Sequence, residues 1–311
     1  MCDVVGIGAN SVDHVYRLPQ FPRPDSPAAK LRITERRISF GGQTATTIAT
    51  CAAMGLRTKY VGAIGNDRDG AALREELRRL GIDVTGVHVR ACDTAYAVIL
   101  LDAERGERVV LWDRSPDLRL RQEEIDPAAI ARSRVIHVDD ADEHAALHAA
   151  ALGREAGIPV TSDIEQVTAR TGELVAAVTI PIFAEHALEP LTGERDPERA
   201  LRRVRQMVRL KPDTTSFRGM VVATLGARGA MLLDGDRVHH EPACVVQTVD
   251  TTGAGDVFRG AFIAALLRGD PPAEMLRFAN AAAALSCTRE GAIASVPTRA
   301  EAEALLRTQG A

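Results

Sequence analysis

The 311-residue sequence has few aromatic residues: they make up 4% of it, with a single tryptophan, Trp112. Gripping single-stranded nucleic acid needs flat rings for bases to stack on, and this chain offers almost none. It also lacks an excess of positive charge. Its 38 lysines and arginines face 42 acids, leaving a formal net charge of −4 and no electrostatic footprint for a phosphate backbone. Nucleic acid is therefore not expected as a partner. Lysine occurs only at Lys30, Lys59 and Lys211, so arginine carries the basic side. No apolar run approaches the roughly 20 residues that a bilayer span requires. The opening MCDVVGIGANSVDHV meets Asp13 and His14 too early for a signal peptide. The five cysteines (2, 51, 92, 244 and 287) are odd in number and never form Cys-x-x-Cys, which excludes a disulfide framework and a thiolate zinc site. A cytoplasmic protein with no membrane partner is expected.

What is present is the composition of a globular enzyme, 46% apolar and 26% charged. The length suits one large domain over residues 1–311. Continuous apolar runs (VVGIG, TKYVGAIG, RVIHVDD, IPVTSDI, AVTIPIFA and MVVATLGARGAMLL) read as strands buried on both faces, the pattern of a parallel sheet. Between them lie helical patterns such as TTIATCAAMG and DEHAALHAAALGREAG, several opening on Asp or Thr and closing on Gly. The alternation predicts a three-layer α/β fold with a mostly parallel central sheet. Residues about 12–40 and about 93–114 break the rhythm with alternating residues and a hairpin-like DAERGERVV, and are expected to form a small separate sheet. LKPDTTSFRG, residues 210–219, is expected to be an exposed loop.

The chemistry concentrates in DTTGAGDVFRGAFIAALL, residues 250–267. A strand-like segment ends at Asp250, small residues follow, and helical apolar spacing then runs to Gly269. The amides of Gly253, Ala254 and Gly255 are expected to face outward at a helix N-terminus with no side chain to block an anion, so a phosphate fits there. Asp256, in the first turn, suits a general base that removes a proton from an attacking hydroxyl. An ordinary glycine-rich helix cap is the plainer alternative.

As a whole, DTTGAGDVFRGAFI resembles the C-terminal signature of the ribokinase/phosphofructokinase-B family of carbohydrate kinases. GGQTATTIATCAAMGLRTKYVGAIGNDRDG resembles that family's N-terminal signature, VVATLGARGAMLL its nucleotide strand, and FANAAAALSCTREGAIASVP its adenine-side segment. The resemblance implies a ribokinase-like sandwich with a small β lid, ATP and Mg2+ as cofactors, a sugar as acceptor, and a homodimer through the lid. It also implies roles. Asp256 is the catalytic base, and Gly253, Ala254 and Gly255 form an anion hole for the transferring phosphoryl group. Asp13, Gly41, Gly42, Gln43 and Thr46 hold the sugar. Thr224, Gly226, Gly229, Asn280 and Ala284 line the nucleotide. Asp250, Thr252, Ser286, Arg289, Gly291 and Ser295 stand where family members hold a monovalent cation, K+.

The departures bear on substrate and metal. Thr46 stands where the family usually has Asn, and Gln43 where ribokinase has Lys. The family's Asn-x-x-Glu motif falls on Ala184 and Ala187, with Glu185 and Glu189 nearby. Ketohexokinases lack that motif too, and FPRPDS, VVLWDRSPD and VTSDIEQ resemble that branch, so a ketohexose or pentose acceptor is expected. A nucleoside kinase, with Tyr96 and Trp112 as a base-binding wall, and a non-catalytic sugar-binding regulator stay open. Outside the signatures, Arg105 and Arg108 offer a clamp for an acidic acceptor or simple hairpin charges. Asp139 and Asp140 offer sugar contacts or a strand end. His144 and His148 lie on one helix face without a third ligand, which reads as a solvated face.

Overall fold

The computed structural model describes residues 2–104, 107–208 and 219–309. Its strands, in chain order, are β1 (Val4–Ile7), β2 (Ser11–Leu18), β3 (Glu35–Gly41), β4 (Thr58–Gly65), β5 (Asp83–Arg90), β6 (Tyr96–Asp102) and β7 (Arg108–Asp113). They continue with β8 (Val135–Asp139), β9 (Val160–Ile164), β10 (Ile180–Ala184), β11 (Val221–Thr224), β12 (Ala230–Asp234) and β13 (Arg237–Glu241). Nine form the central sheet in the order β13-β12-β11-β10-β9-β8-β1-β4-β5, parallel except for β12, which runs opposite to its neighbours β11 and β13 at one edge.

Alternate side chains on these strands feed two separate apolar layers. Val4, Tyr60, Ile64, Val135, Ile180 and Val222 pack against the helices Gln43–Ala53, Ala254–Arg268 and Pro272–Ser286. Val5, Ile7, Ile136, Val138, Ile164 and Phe183 pack on the opposite face with Glu143–Ala156 and Pro197–Met207. Burial on both faces is why these strands read as unbroken apolar runs, and the result is a three-layer sandwich.

β3, β2, β6 and β7 form a second, four-stranded sheet, with β2 and β6 paired in parallel at its centre and an antiparallel partner on each side. Its small core is Val15, Ala97 and Ile99. This is the lid.

One strand reading is corrected. MVVATLGARGAMLL is not a single parallel strand: it folds back at Gly226 and Gly229, both at positive φ, into the antiparallel pair β11 and β12. A Cβ on Gly229 would meet the Glu241 carbonyl oxygen at 2.0 Å, so the reversal is possible only for glycine. The segment 210–219, read as a loop, lies outside the described residues except for Gly219, and so does Arg105. No helix among the described residues is long and apolar enough to cross a membrane.

Candidate active site

The chain runs from β1 to β4 on one side and reaches β8 on the other, so the carboxyl ends of β1, β8 and β9 open into a crevice where strand order reverses. The helix N-termini at Gln43 and Ala254 project into the same region, because these two helices pack against each other across one face of the sheet. Gly260 allows this approach: a Cβ there would lie 2.6 Å from the Thr47 carbonyl oxygen.

Gly253 is the left-handed cap of the Ala254–Arg268 helix, at φ 76° with no side-chain cap bond. A Cβ on it would come within 2.8 Å of the Ala292 Cβ and 3.5 Å of the Thr46 methyl group. The turn that opens the Ala254–Arg268 helix therefore lies close against the Gln43 helix. The Ala254 amide makes a long 3.3 Å bond to the Thr251 carbonyl, while the amides of Gly253 and Gly255 have no acceptor among the described residues. Asp256, two residues on, is only 8% exposed. Burial is the main force raising its carboxyl, to about 8; Arg259 opposes the rise and Glu165 adds to it.

On the facing side, Asp13 of β2 is buried, accepts from Ser11 Oγ at 3.1 Å, and is raised by that burial. Gly41 lies against it, since a Cβ there would be 3.2 Å from Asp13 Oδ2. Gly42 adopts φ 96°, and a Cβ on it would strike the Asn10 Cα at 2.3 Å. The Thr46 hydroxyl is buried and without a partner among the described residues. The Gln43 amide donates to Asp140 Oδ1 at 3.1 Å.

Asp139 and Asp140 are bound into the scaffold. Asp139 accepts from the Ala9 amide and the Thr44 hydroxyl, both at 2.7 Å, and Asp140 from the amides of Glu165 and Gln166, both at 2.7 Å.

At the carboxyl ends of β10 and β11, Thr224 and Gly226 line a cleft of about 870 Å³ together with Ala184, Glu185 and Leu188. Gly229 closes the turn below them, its carbonyl accepting the Leu225 amide at 2.7 Å. Asn280 spends its amide on the carbonyls of Glu241 and Pro242, at 2.9 and 3.0 Å, and so clamps the loop after β13; Ala284 follows one turn later on the same helix. Glu185 pairs with Arg228 across the cleft mouth.

Segment 249–252 packs against 287–291, and the amides of Val249 and Asp250 bond the Cys287 carbonyl. Asp250 accepts from Thr252 N and Oγ1 at 2.9 and 2.7 Å and from Gly291 N at 2.9 Å. Although burial alone raises it, these bonds hold its carboxyl below the ordinary range. Arg108 Nη1 lies 3.4 Å from the same carboxylate and 2.8 Å from the Thr252 hydroxyl. The remaining members are locally engaged: Ser286 Oγ donates to the Ala283 carbonyl, Ser295 Oγ to the Ala292 carbonyl, and Arg289 pairs with Glu301. His144 meets the Arg170 guanidinium at 2.9 Å, an arrangement hostile to a metal.

Two functional-region residues escaped the sequence reading. Arg259 and Asp163 are both 0% exposed, with Nη2 2.5 Å from Oδ1. The signal was an arginine inside the apolar run DVFRGAFIAALL, since a buried guanidinium demands an acid.

The model of the pfkB family of carbohydrate kinases matches residues 1–299. The chain is 28% identical to Haemophilus influenzae ribokinase over 302 residues, covering 95% of each, and 30% identical to Oryza sativa fructokinase-1 over 295 residues, covering 86% of this chain and 88% of that one. The crystal structure of Thermotoga maritima ribokinase superposes with a TM-score of 0.82 at 27% identity, covering 99% of this chain and all of the other. With its sandwich, its lid and this match over nearly the whole length, the chain belongs to the pfkB family of carbohydrate kinases and is a phosphotransferase acting on a sugar hydroxyl.

Proposed function

We propose that the chain transfers the γ-phosphate of ATP to a hydroxyl of a small sugar, a ketohexose or pentose, held between Asp13, Gly41, Gly42, Gln43 and Thr46. Asp256 takes the proton from the acceptor hydroxyl as it attacks. The outward amides of Gly253 and Gly255, with the helix dipole behind them, receive the charge on the transferring group. The observation that carries this reading is the close approach of Thr46 to Gly253, where a Cβ would come within 3.5 Å of the Thr46 methyl group, so that the sugar-side helix borders the anion-hole turn three residues before the base. Curated relatives named for ribose and for fructose support both acceptor classes.

ATP fits the cleft at Thr224 and Gly226, with Ala284 on its adenine side. Magnesium would enter with ATP and would be held chiefly by its phosphates and water. Ala184 and Ala187 supply no ligand where the family places one, and no protein carboxylate is assigned to the ion. Potassium at Asp250, Thr252, Ser286, Arg289, Gly291 and Ser295 rests on the family resemblance alone, which uses several of these positions through their backbone carbonyls. Asp250 is already satisfied by two amides, a hydroxyl and the Arg108 guanidinium, so no step is routed through potassium. A homodimer through the lid is supported by the apolar strip on β7, where Val109, Val110, Leu111 and Trp112 are 40–74% exposed. The cytoplasm, with its ATP, is the fitting compartment.

The test is ADP formation from MgATP with fructose, ribose, 2-keto-3-deoxygluconate and adenosine in parallel. Turnover with a sugar supports the reading. Turnover with adenosine alone makes the chain a nucleoside kinase, and binding without turnover across the panel makes it a regulator.

A further inference from the structure

The Ala254–Arg268 helix buries every residue from Asp256 to Leu266, including the charged Arg259. A lone guanidinium so placed would be strongly unfavourable, and even a well-paired buried ion pair is often no more stabilising than an apolar pair of the same volume. Stability is therefore a poor explanation for Arg259, and its position suggests a better one. Nη1 would lie 2.6 Å from a Cβ on Gly255, so the guanidinium fills the space directly behind the free amides of the turn. The same group contacts Asp163 Oδ1 at 2.5 Å and stands 3.9 Å from Glu165.

Asp163, Glu165 and Asp256 bring their carboxyl oxygens within 4.8 Å of one another, so three acids share one guanidinium. The charged groups facing Asp256 are Arg259 from its own helix, Asp163 and Glu165 from β9 and the loop after it, and Asp139 from the end of β8. The Gln43 helix contributes only the neutral Thr47, which donates to the Asp256 carbonyl. His137 of β8, beyond Asp163, is held down to about 3 by burial and by Arg259, and adds no positive charge. Arg259 is thus the sole cation in this set.

Resting on the reading of Asp256 as base, we propose that Arg259 is a positioning residue whose guanidinium, anchored by Asp163, favours the ionised form of Asp256 against the pull of burial and the neighbouring acids and keeps the side chain aimed at the acceptor hydroxyl. Asp163 plays two parts. It holds Arg259 in place, and it competes with Asp256 for the same positive charge. Burial raises both carboxyls, so the pair has to be understood as one proton-sharing unit.

The test is a carbon-13 titration of aspartate carboxyls in the full-length protein, with the Asp256 signal assigned by its loss in Asp256→Asn. In the native protein that signal is expected to titrate well above the ordinary carboxylate range, at about 8. Arg259→Met removes the cation and moves the midpoint up by about one pH unit or more, while Arg259→Lys restores it in large part. Asp163→Asn keeps a side-chain hydrogen-bond donor toward Asp256 while removing the competing negative charge, and so moves the midpoint down; the inference thus survives poor folding of either single variant. With MgATP and whichever of fructose or ribose is turned over, kcat/KM of Arg259→Met at neutral pH falls about tenfold for every pH unit by which the midpoint rises, and recovers in more alkaline buffer. Midpoints that stay put in Arg259→Met and Asp163→Asn overturn the proposal, as does a uniform loss of kcat with an unmoved acid limb. If Asp256→Asn keeps full turnover, the base assignment falls instead, and the titration still decides whether Arg259 controls that carboxyl.

Discussion

Arg108, at the start of β7, donates to the Thr252 hydroxyl at 2.8 Å and so ties the lid to the turn that opens the Ala254 helix. Two more lid arginines reach the segment packed beside it: Arg37 and Arg17 pair with Glu290 at 2.6 and 3.0 Å. Arg108 is 45% exposed, so its pair contributes under about 1 kcal/mol to stability. Arg108→Ala is expected to leave Tm unchanged, to raise the sugar KM about fivefold, and to increase ATP hydrolysis in the absence of sugar. Steady-state kinetics with and without sugar measure both effects. If neither KM nor the uncoupled rate moves, the tie has no part in closure.

Asp256→Asn keeps the shape of the side chain and removes its basicity. Turnover should fall by about 10² to 10⁴, while ATP affinity measured by calorimetry stays close to native. Retention of normal kcat would take the proton-abstracting role away from this residue.

Gly42 combines φ 96° with the Asn10 backbone 2.3 Å from where a Cβ would sit. Gly42→Ala should cost about 1–3 kcal/mol and weaken sugar binding more than ATP binding, because the displaced backbone borders Asp13 and not the nucleotide cleft. Urea unfolding midpoints and separate KM values check the two halves. Native stability in this variant would contradict so close an approach of the two backbones.

The pH dependence has a definite sign. Burial pushes the Asp256 carboxyl to about 8, and only its ionised form accepts a proton. kcat/KM of the free enzyme should therefore climb about tenfold per pH unit below that value and level off above it. Folding binds a proton that the unfolded chain has already released. The group's contribution to stability is thus greatest in acid, below its unfolded value, and fades as the pH rises toward about 8. Thermal melts of the native protein and Asp256→Asn across that range should diverge on the alkaline side, with native the less stable.

Leu111 and Trp112 on β7 are 56% and 74% exposed. Leu111→Lys should convert a lid-paired dimer to monomer in sedimentation velocity, with little change in Tm. An unchanged sedimentation coefficient would mean that the strip serves no self-association.

Much of this architecture was readable in advance for a simple physical reason. Strands such as β1 and β10 are buried on both faces and read as apolar throughout, and a turn that leaves its amides uncovered must be built of small residues, as at 253–255. What escaped the reading depends on partners distant in the chain. The parallel pairing of β2 with β6 leaves no local mark. Nor could spacing reveal that Asp139 is consumed by Ala9 and Thr44, or Asp140 by the loop after β9. The Arg259–Asp163 pair joins a helix to a strand, and each half alone resembles an ordinary charge. The fold-back at Gly226 and Gly229 was visible as glycine but not as reversal, because apolar strand-like sequence flanks it on both sides.

The central seam of the lid joins residues 12–18 to 96–102, with β4 and β5 of the main sheet threaded between them in sequence. Such a seam closes a long loop and has little core of its own to hold it. The cover over the sugar should therefore be the last part of the newly made chain to order. It should also be the first to open in the mature enzyme, with the amides of β2 and β6 exchanging hydrogen for deuterium well before those of β1 and β8.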